Sequence, residues 1–288
     1  MKIEEKAYAK LNISLDVSKL REDGYHDMVM VMQTVSLHDD ITVTFNKSGE
    51  VHSSTSFRFI PDDDRNLAVK AAKCFLSTIG DNETGADIRI KKHIPVGSGM
   101  AGGSSDAAAV LRVMNRTADS PLSDEQLLKI SEKVGSDVPF CLLGGTALAE
   151  GRGEILTPLK DIPECRFVIC KPEFSISTPE LFKAIDSVKL KAHPDTRGIL
   201  EAVENNDLKN ISRRLYNVFE AVNDRRLKVV AEIKSRLLEA GAEGAAMTGT
   251  GSAVYGIFTA DASTEAICAE LEKEYGFCVE SLPVGRFL

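Results

Sequence analysis

No two of the six cysteines, at positions 74, 141, 165, 170, 268 and 278, form a C-x-x-C pair, and none shares a metal-ligating spacing with a histidine. That excludes a zinc ribbon and a disulfide scaffold; the scattered thiols are expected to lie buried in a reducing compartment. A basic run is also missing. With 35 lysines and arginines against 43 acidic residues, the net charge of −8 suits general nucleic-acid binding poorly. No apolar stretch reaches membrane-spanning length, and Met1-Lys2-Ile3-Glu4-Glu5-Lys6 lacks the apolar core of a secretory signal. Repeats and low-complexity tracts are absent. The expectation is a soluble cytoplasmic protein without nucleic-acid or membrane partners. At 288 residues and 43% hydrophobic content, it can bury a large core in one or two domains.

What the chain has in concentration is glycine and hydroxyl at one place, Pro95-Val96-Gly97-Ser98-Gly99-Met100-Ala101-Gly102-Gly103-Ser104-Ser105-Asp106, followed by the alanine-rich run Ala107 to Val113. Glycines let backbone N–H groups converge, and Ser104 or Ser105 is expected to cap the helix that the alanines favour. A helix N-terminus behind such a loop is an anion site, and the ligand that fits is a polyphosphate. The alternative is a glycine-rich turn used only for tight packing. Three standard phosphate loops fail the test. A dinucleotide fold needs its loop after the first strand and an acid at the tip of a second, whereas Asp119 falls in a loop before a helix. A Walker loop closes on Gly-Lys-Ser/Thr, and this one has no lysine. A protein kinase needs H-R-D and D-F-G triplets, and neither occurs. The lysine and carboxylate must then come from distant parts of the chain.

Strand-like alternation runs from Ile3 to Val17, with Ala9, Leu11, Ile13, Leu15 and Val17 on one face and Tyr8, Lys10, Asn12 and Ser14 on the other. A turn at Arg21-Glu22-Asp23-Gly24 and extended segments 29–37 and 41–45 follow. Helical spacing over 66–76 stops at Gly80, and a capping box at Ser123-Asp124-Glu125-Gln126 opens a helix that stops at Gly135. Beyond Gly144-Gly145 the order restarts: a strand over 166–170, helical stripes over 200–203, 208–218 and 227–240, then Met247-Thr248-Gly249-Thr250-Gly251-Ser252. Strand 253–258, helix 264–275 and strand 277–282 complete a ferredoxin-like second half. The fold class is α+β: an N-terminal mixed α/β domain over 1–155 and a C-terminal ferredoxin-like domain over 156–288.

Lys10 is either a solvated charge on a strand edge or, if its strand is central, a cation that needs a carboxylate or phosphate partner. Asp137, in Gly135-Ser136-Asp137-Val138-Pro139-Phe140, is a helix N-cap or a catalytic carboxylate; Asp106 is taken as an N-cap, since a carboxylate beside bound phosphate is repelled. Gly24-Tyr25-His26 is loop decoration or a platform for a flat ring. Lys91-Lys92-His93 is a solvated strand end or added positive potential beside the loop.

Assembled, these pieces resemble the GHMP small-molecule kinases, the family of galactokinase, homoserine kinase and mevalonate kinase. Pro95 to Ser105 matches its P-x-G-x-G-x-x-G/A-S-S loop. Ala9-Lys10-Leu11-Asn12-Ile13-Ser14-Leu15, Arg21 to His26, Asn66-Leu67, Gly135 to Phe140, Glu150-Gly151-Arg152-Gly153-Glu154, Ser175 to Phe182 and Thr248 to Gly251 resemble the branch that phosphorylates a cytidine diphosphate-linked polyol for isoprenoid synthesis. The resemblance implies a two-domain GHMP-kinase fold, ATP and Mg2+, and a small-molecule substrate bound by a monomer or homodimer. It implies catalytic roles for Asp137, as base toward the hydroxyl, and for Lys10 beside it. Pro95, Val96, Gly97, Ser98, Gly99, Met100, Ala101, Gly102, Gly103, Ser104 and Ser105 would wrap the ATP phosphates, with Asn66 and Lys92 near the adenine nucleoside. Tyr25 and Phe182 would sandwich the cytosine, His26 read its edge, Asn12 fix the polyol, and Thr178 add a contact. No carboxylate pair for the metal stands out. Two other readings remain: a homoserine- or mevalonate-type kinase of the same family, and a relative that binds its ligand without catalysis.

Overall fold

The computed structural model describes residues 1–22, 24–57 and 59–288, with no side-chain account of Lys19; Asp23, in the expected turn, lies outside the described residues. The strands are β1 (Lys2–Leu20), β2 (His26–Asn46), β3 (Val51–Thr55), β4 (Gly85–Lys91), β5 (Thr146–Gly151), β6 (Ile155–Pro158), β7 (Cys165–Cys170), β8 (Tyr216–Asn217), β9 (Gly244–Met247), β10 (Val254–Thr259) and β11 (Cys278–Ser281). The helices are α1 (Leu67–Ile79), α2 (Gly102–Thr117), α3 (Asp124–Val134), α4 (Val138–Leu143), α5 (Thr178–Ile185), α6 (Thr196–Glu204), α7 (Leu208–Ser212), α8 (Leu227–Glu239) and α9 (Glu265–Tyr275), with a 3-10 turn over Val218–Ala221.

The first sheet runs β3-β4-β2-β1-β8, and β2 also carries β5, which pairs with β6. One edge of β2 follows β1 along its length. The other is divided between β5, opposite 28–33, and β4, opposite 40–46. The two extended segments expected over 29–45 are therefore one strand. The polar Asp39-Asp40 step does not end it, because Asp39 accepts hydrogen bonds from the amides of His93 and Ile94 instead of turning its own backbone. Helices α1 and α2 cover the sheet with alanine and valine faces, α2 lying against β1 and β2. Asn66 caps α1, Gly80 ends it in a left-handed conformation, and the Ser123–Gln126 capping box opens α3 as expected.

The second sheet has the order β11-β7-β10-β9, all neighbours antiparallel. With α8 before β9 and α9 between β10 and β11, this is the ferredoxin-like arrangement. Strand pairing ties the halves together, and bridges from Pro283 to Val35 and from Arg286 to Gly144 add to it. β8 pairs in parallel with β1, and β6 straddles the expected 155/156 boundary while paired to β5. A second apolar core fills the space between the sheets. Ala9, Leu11 and Ile13 of β1 meet Phe167, Ile169, Tyr255 and Ile257 there, so the apolar face of the first strand is the contact between the two halves.

The helical stripe expected over 208–218 breaks at Arg213. Tyr216 and Asn217 pair with Ser14 and Leu15 instead, and the Asn217 side chain donates to the carbonyls of Met247 and Gly249 at 2.8 Å. Tertiary bonding outweighs the local period.

Candidate functional site

A cavity of about 500 Å3 opens between the halves, lined by the glycine loop on one side and by α5 and residues 249–251 on the other. The loop enters α2 through Ala101, whose backbone is left-handed (φ 58°, ψ 31°) and whose side chain makes no capping bond. The expected serine cap is thus absent, because the helix begins before either serine. Ser104 faces the cavity, whereas Ser105 is buried and donates to the Ala101 carbonyl at 3.1 Å. Gly102, Gly103 and Ser104 form the first turn, whose N–H groups have no partner within the helix and carry its positive dipole end into the cavity. That is an anion cradle. Met100 does not belong to it: its side chain is fully buried, and its carbonyl accepts the Lys10 amide at 3.2 Å, docking β1 on the loop.

Gly99 holds this loop against the second glycine cluster. At φ +80° it occupies the left-handed region, and a Cβ there would sit 2.2 Å from the Thr248 carbonyl oxygen. Backbone cannot yield as a flexible side chain does. Gly99→Ala is expected to force the loops apart and cost at least about 1–3 kcal/mol from the left-handed conformation alone. A thermal midpoint equal to that of the parent would contradict the contact.

Lys10 is 4% exposed, which removes the solvated-edge reading, and its ammonium donates to Asn12 Oδ1 at 2.7 Å. Register shifts between Tyr8 and Lys10 and between Asn12 and Ser14 flank the pair; such bulges re-aim side chains. Asn12, expected beside the polyol, is not among the residues that line the cavity. It is 1% exposed, its Oδ1 also accepts the Gly249 amide at 2.9 Å, and its backbone N–H donates to Thr248 Oγ1 at 3.0 Å. Its place is to hold Lys10 and the second glycine cluster in register.

Asp137 occupies the N-cap position of α4, yet its side chain makes no capping bond. The half-buried carboxylate lines the same cavity as Lys10, without a direct ion pair to it. Both reach the Cys141 thiol electrostatically. Burial pushes that thiol up to about 12, the Asp137 charge adds to the push, and Lys10 opposes it. A buried cation and an uncommitted carboxylate thus face one cavity at the mouth of an anion cradle.

Lys92 lines the cavity, but its charge is already engaged. Its ammonium is spent between two buried carboxylates, 2.5 Å from Asp39 and 2.7 Å from Asp106. Burial pulls Lys92 down, but the two carboxylates outweigh it and hold the ammonium above its usual range. Asp106 is the fifth residue of α2 and no N-cap. Burial lifts its carboxyl to about 8 against the pull of Lys92, and its Oδ1 is buried without a hydrogen-bond partner. The neighbouring lysine resolves the repulsion that argued against a carboxylate here.

Asn66 lines the cavity, but its side chain is engaged, capping α1 and donating to Ser53 Oγ and the Pro61 carbonyl. At the opposite wall, Thr178 opens α5 and meets Thr250 Oγ1 at 2.8 Å, and Phe182 packs edge-on against Phe219. Buried His26 stacks on Phe182 at 5.0 Å and binds Asp186 through Nε2 at 2.7 Å. The exposed Tyr25 ring lies 5.2 Å beneath the Arg152 guanidinium. Unlike Phe182, Tyr25 and His26 do not line the cavity itself.

Sequence reasoning gave no site role to Thr250, Gly251, Ser136, Ile176, Met30 or Arg65, all of which line the cavity. The second glycine cluster was visible as a signal for the first two. Arg65, forked onto Asp63, offered none.

The profile of the GHMP kinases N terminal domain matches residues 66–145, and that of the GHMP kinases C terminal matches residues 199–276. The 4-diphosphocytidyl-2-C-methyl-D-erythritol kinase of Clostridium novyi (strain NT) is 46% identical over 253 residues, 88% of this chain and 90% of the relative. That of Clostridium beijerinckii is 41% identical over 270 residues, 94% of this chain and 96% of the relative. A crystal structure of 4-(cytidine 5'-diphospho)-2C-methyl-D-erythritol kinase superposes with a TM-score of 0.83 at 30% identity, covering 98% of this chain and all of that one. Homoserine kinase from Cytophaga hutchinsonii, at 18% identity and a TM-score of 0.77, shares the fold.

Proposed function

The chain belongs to the GHMP kinases, and on that premise we propose that it transfers the terminal phosphoryl group of ATP to the 2-hydroxyl of 4-diphosphocytidyl-2-C-methyl-D-erythritol, a step of isoprenoid precursor synthesis. One observation carries the reading of the site: Lys10 and Asp137, from opposite ends of the N-terminal half, line the cavity that receives the N-terminus of α2. The first turn of α2 holds the phosphates. Asp137 orients the substrate hydroxyl and accepts its proton as the new O–P bond forms and the bond to the ADP oxygen breaks. Lys10 balances the negative charge gathering between them. Phosphoryl transfer passes through a loose transition state, so positioning and charge supply most of the rate.

Among the described residues no cluster of three or more His, Cys, Asp or Glu is arranged to hold a metal alone. The donors that would fit a magnesium ion held mainly by phosphate and water are the Ser104 hydroxyl and the unpartnered Oδ1 of Asp106, which leaves Asp137 free for the hydroxyl. Such an ion supplies neutralisation of the β- and γ-phosphate oxygens. The proposed setting is the cytoplasm, where ATP and the charged alcohol are both held.

Phe182, with Tyr25 and His26 beside it, is assigned to the cytosine ring. Tyr25→Ala and Phe182→Ala are each expected to raise KM for the cytidine substrate by about tenfold or more, with kcat little changed. Loss of a stacked base contact costs about 1–3 kcal/mol. An unchanged KM in both variants would remove the stacking assignment. The whole reading is tested by an ADP-release assay on homoserine, mevalonate and the cytidine alcohol. Turnover of the cytidine alcohol alone is expected; comparable turnover of either other alcohol, or none of all three, would refute it.

A further inference from the structure

Three thiols dispersed along the sequence meet in the second sheet, away from the cavity. Cys170 ends β7, Cys278 begins β11, and the register sets them directly opposite one another. The Lys171 amide donates to the Phe277 carbonyl at 3.0 Å. In an antiparallel ladder that bond identifies Cys170 and Cys278 as a non-hydrogen-bonded pair, whose Cα atoms stand about 4.5 Å apart with side chains on one face. Disulfides span Cα separations of about 4.4–6.8 Å. The third thiol, Cys268, comes from α9, which packs on β11; Cys278 interacts with the thiols of both Cys268 and Cys170.

The three differ in access. Cys268 is half-buried, while Cys170 and Cys278 are buried. The hydrogen bond from Cys278 holds the Cys268 thiol below its usual range, and hydrogen bonding to both neighbours together with burial holds Cys278 above. A low, accessible thiol is the one that attacks. Among the described residues no cluster is arranged to hold a metal, and the three thiols share one apolar core.

We propose that this trio is a reversible disulfide site, in which Cys268 attacks a small disulfide of the glutathione class and Cys278 resolves the product. In the first step the Cys268 sulfur bonds to one glutathione sulfur and the other leaves as thiolate. In the second, Cys278, having lost its proton, attacks the Cys268 sulfur and expels the remaining glutathione as thiolate. The protein gives up two thiol hydrogens and two electrons, and glutathione disulfide becomes two glutathiones. Cys170, opposite Cys278, can then exchange to carry the bond into the sheet. The site is joined to the kinase machinery along the chain: the turn after Cys170, whose carbonyls at Pro172 and Phe174 accept the Lys171 ammonium, leads to Ile176 and Thr178 on the cavity wall.

The test treats the native protein with glutathione disulfide, then unfolds it in guanidinium so that buried thiols are reached, alkylates with iodoacetamide and maps peptides without reduction. Cys278 is expected to leave the alkylated pool linked to Cys268 or Cys170, and dithiothreitol to restore it. Cys278→Ser should stop at a glutathione adduct on Cys268; Cys278→Ala repeats the test if serine disturbs the packing. Cys268→Ser, outside the cavity, should keep kinase activity while the loss of Cys278 slows about tenfold or more. The proposal falls if Cys278 stays alkylatable after Cys268 is glutathionylated, or if its loss is as fast in Cys268→Ser as in the parent.

Discussion

Replacing Asp137 with asparagine is expected to lower kcat by about 10³-fold, within the range usual for removal of a general base, while the cytidine substrate still binds. The substitution keeps the side chain's shape and deletes its charge and proton acceptor. It should not disturb the fold, because α4 draws no capping bond from that side chain. It also leaves Lys10 on Asn12, so the cation stays in place. Steady-state kinetics with a separate binding titration separates the two effects. A variant with near-parental kcat would show that Asp137 lies in the cavity without acting on the hydroxyl, and the assignment would have to move to another carboxylate.

The second large effect concerns stability. Lys92→Met is expected to destabilise the protein by about 3–5 kcal/mol, the usual result of removing one partner from a buried ionic cluster. Methionine fills the volume of the stem but strands the carboxylates of Asp39 and Asp106, which the ammonium now bridges. The loss should grow with pH. Asp106, already raised to about 8 by burial, would lose the cation that opposes the rise, so its folded value would stand still further above the unfolded one. A carboxyl shifted that way favours folding while protonated. Its contribution is complete below the unfolded pKa of about 3.9 and disappears as pH climbs through the folded value. Denaturant titrations at pH 5 and pH 8.5 should therefore show a larger penalty at the higher pH. Adding Asp106→Asn should recover part of it by removing one stranded charge. A loss independent of pH, or no recovery in the double variant, would mean that Lys92 matters only for packing.

Much of this architecture could be read from residue order. The alternation from Ile3 to Val17 gave the strand that joins the halves, Gly80 and the Ser123 capping box gave helix limits, and the strand–helix pattern after residue 165 gave the second sheet. The glycine loop located the anion cradle because its chemistry is local: turns and helix N-termini are built by neighbours in sequence. What escaped depends on partners far away. The stripe over 208–218 has helical spacing, but Asn217 bonds to a loop some thirty residues on, so the chain breaks there to form β8. Lys92 and Asp106 each looked like a residue acting alone; only the return of β2 beside β4 brings Asp39 to the ammonium that also holds Asp106. Asn12 shares a strand face with Lys10, yet the second glycine cluster covers it, and a period of two cannot show which residue of a polar face stays open. Cys170 and Cys278 looked scattered because nothing local pairs β7 with β11.

The central claim is that an alcohol, a terminal phosphate and the Asp137 carboxylate meet beside Lys10. Its most direct test is a crystal structure with a non-hydrolysable ATP analogue and 4-diphosphocytidyl-2-C-methyl-D-erythritol both bound. The account predicts the 2-hydroxyl at about 3 Å from the Asp137 carboxylate, within hydrogen-bond reach, and in line with the γ-phosphorus held at the first turn of α2. A hydroxyl turned away from Asp137, or a triphosphate seated elsewhere than on that turn, would contradict it.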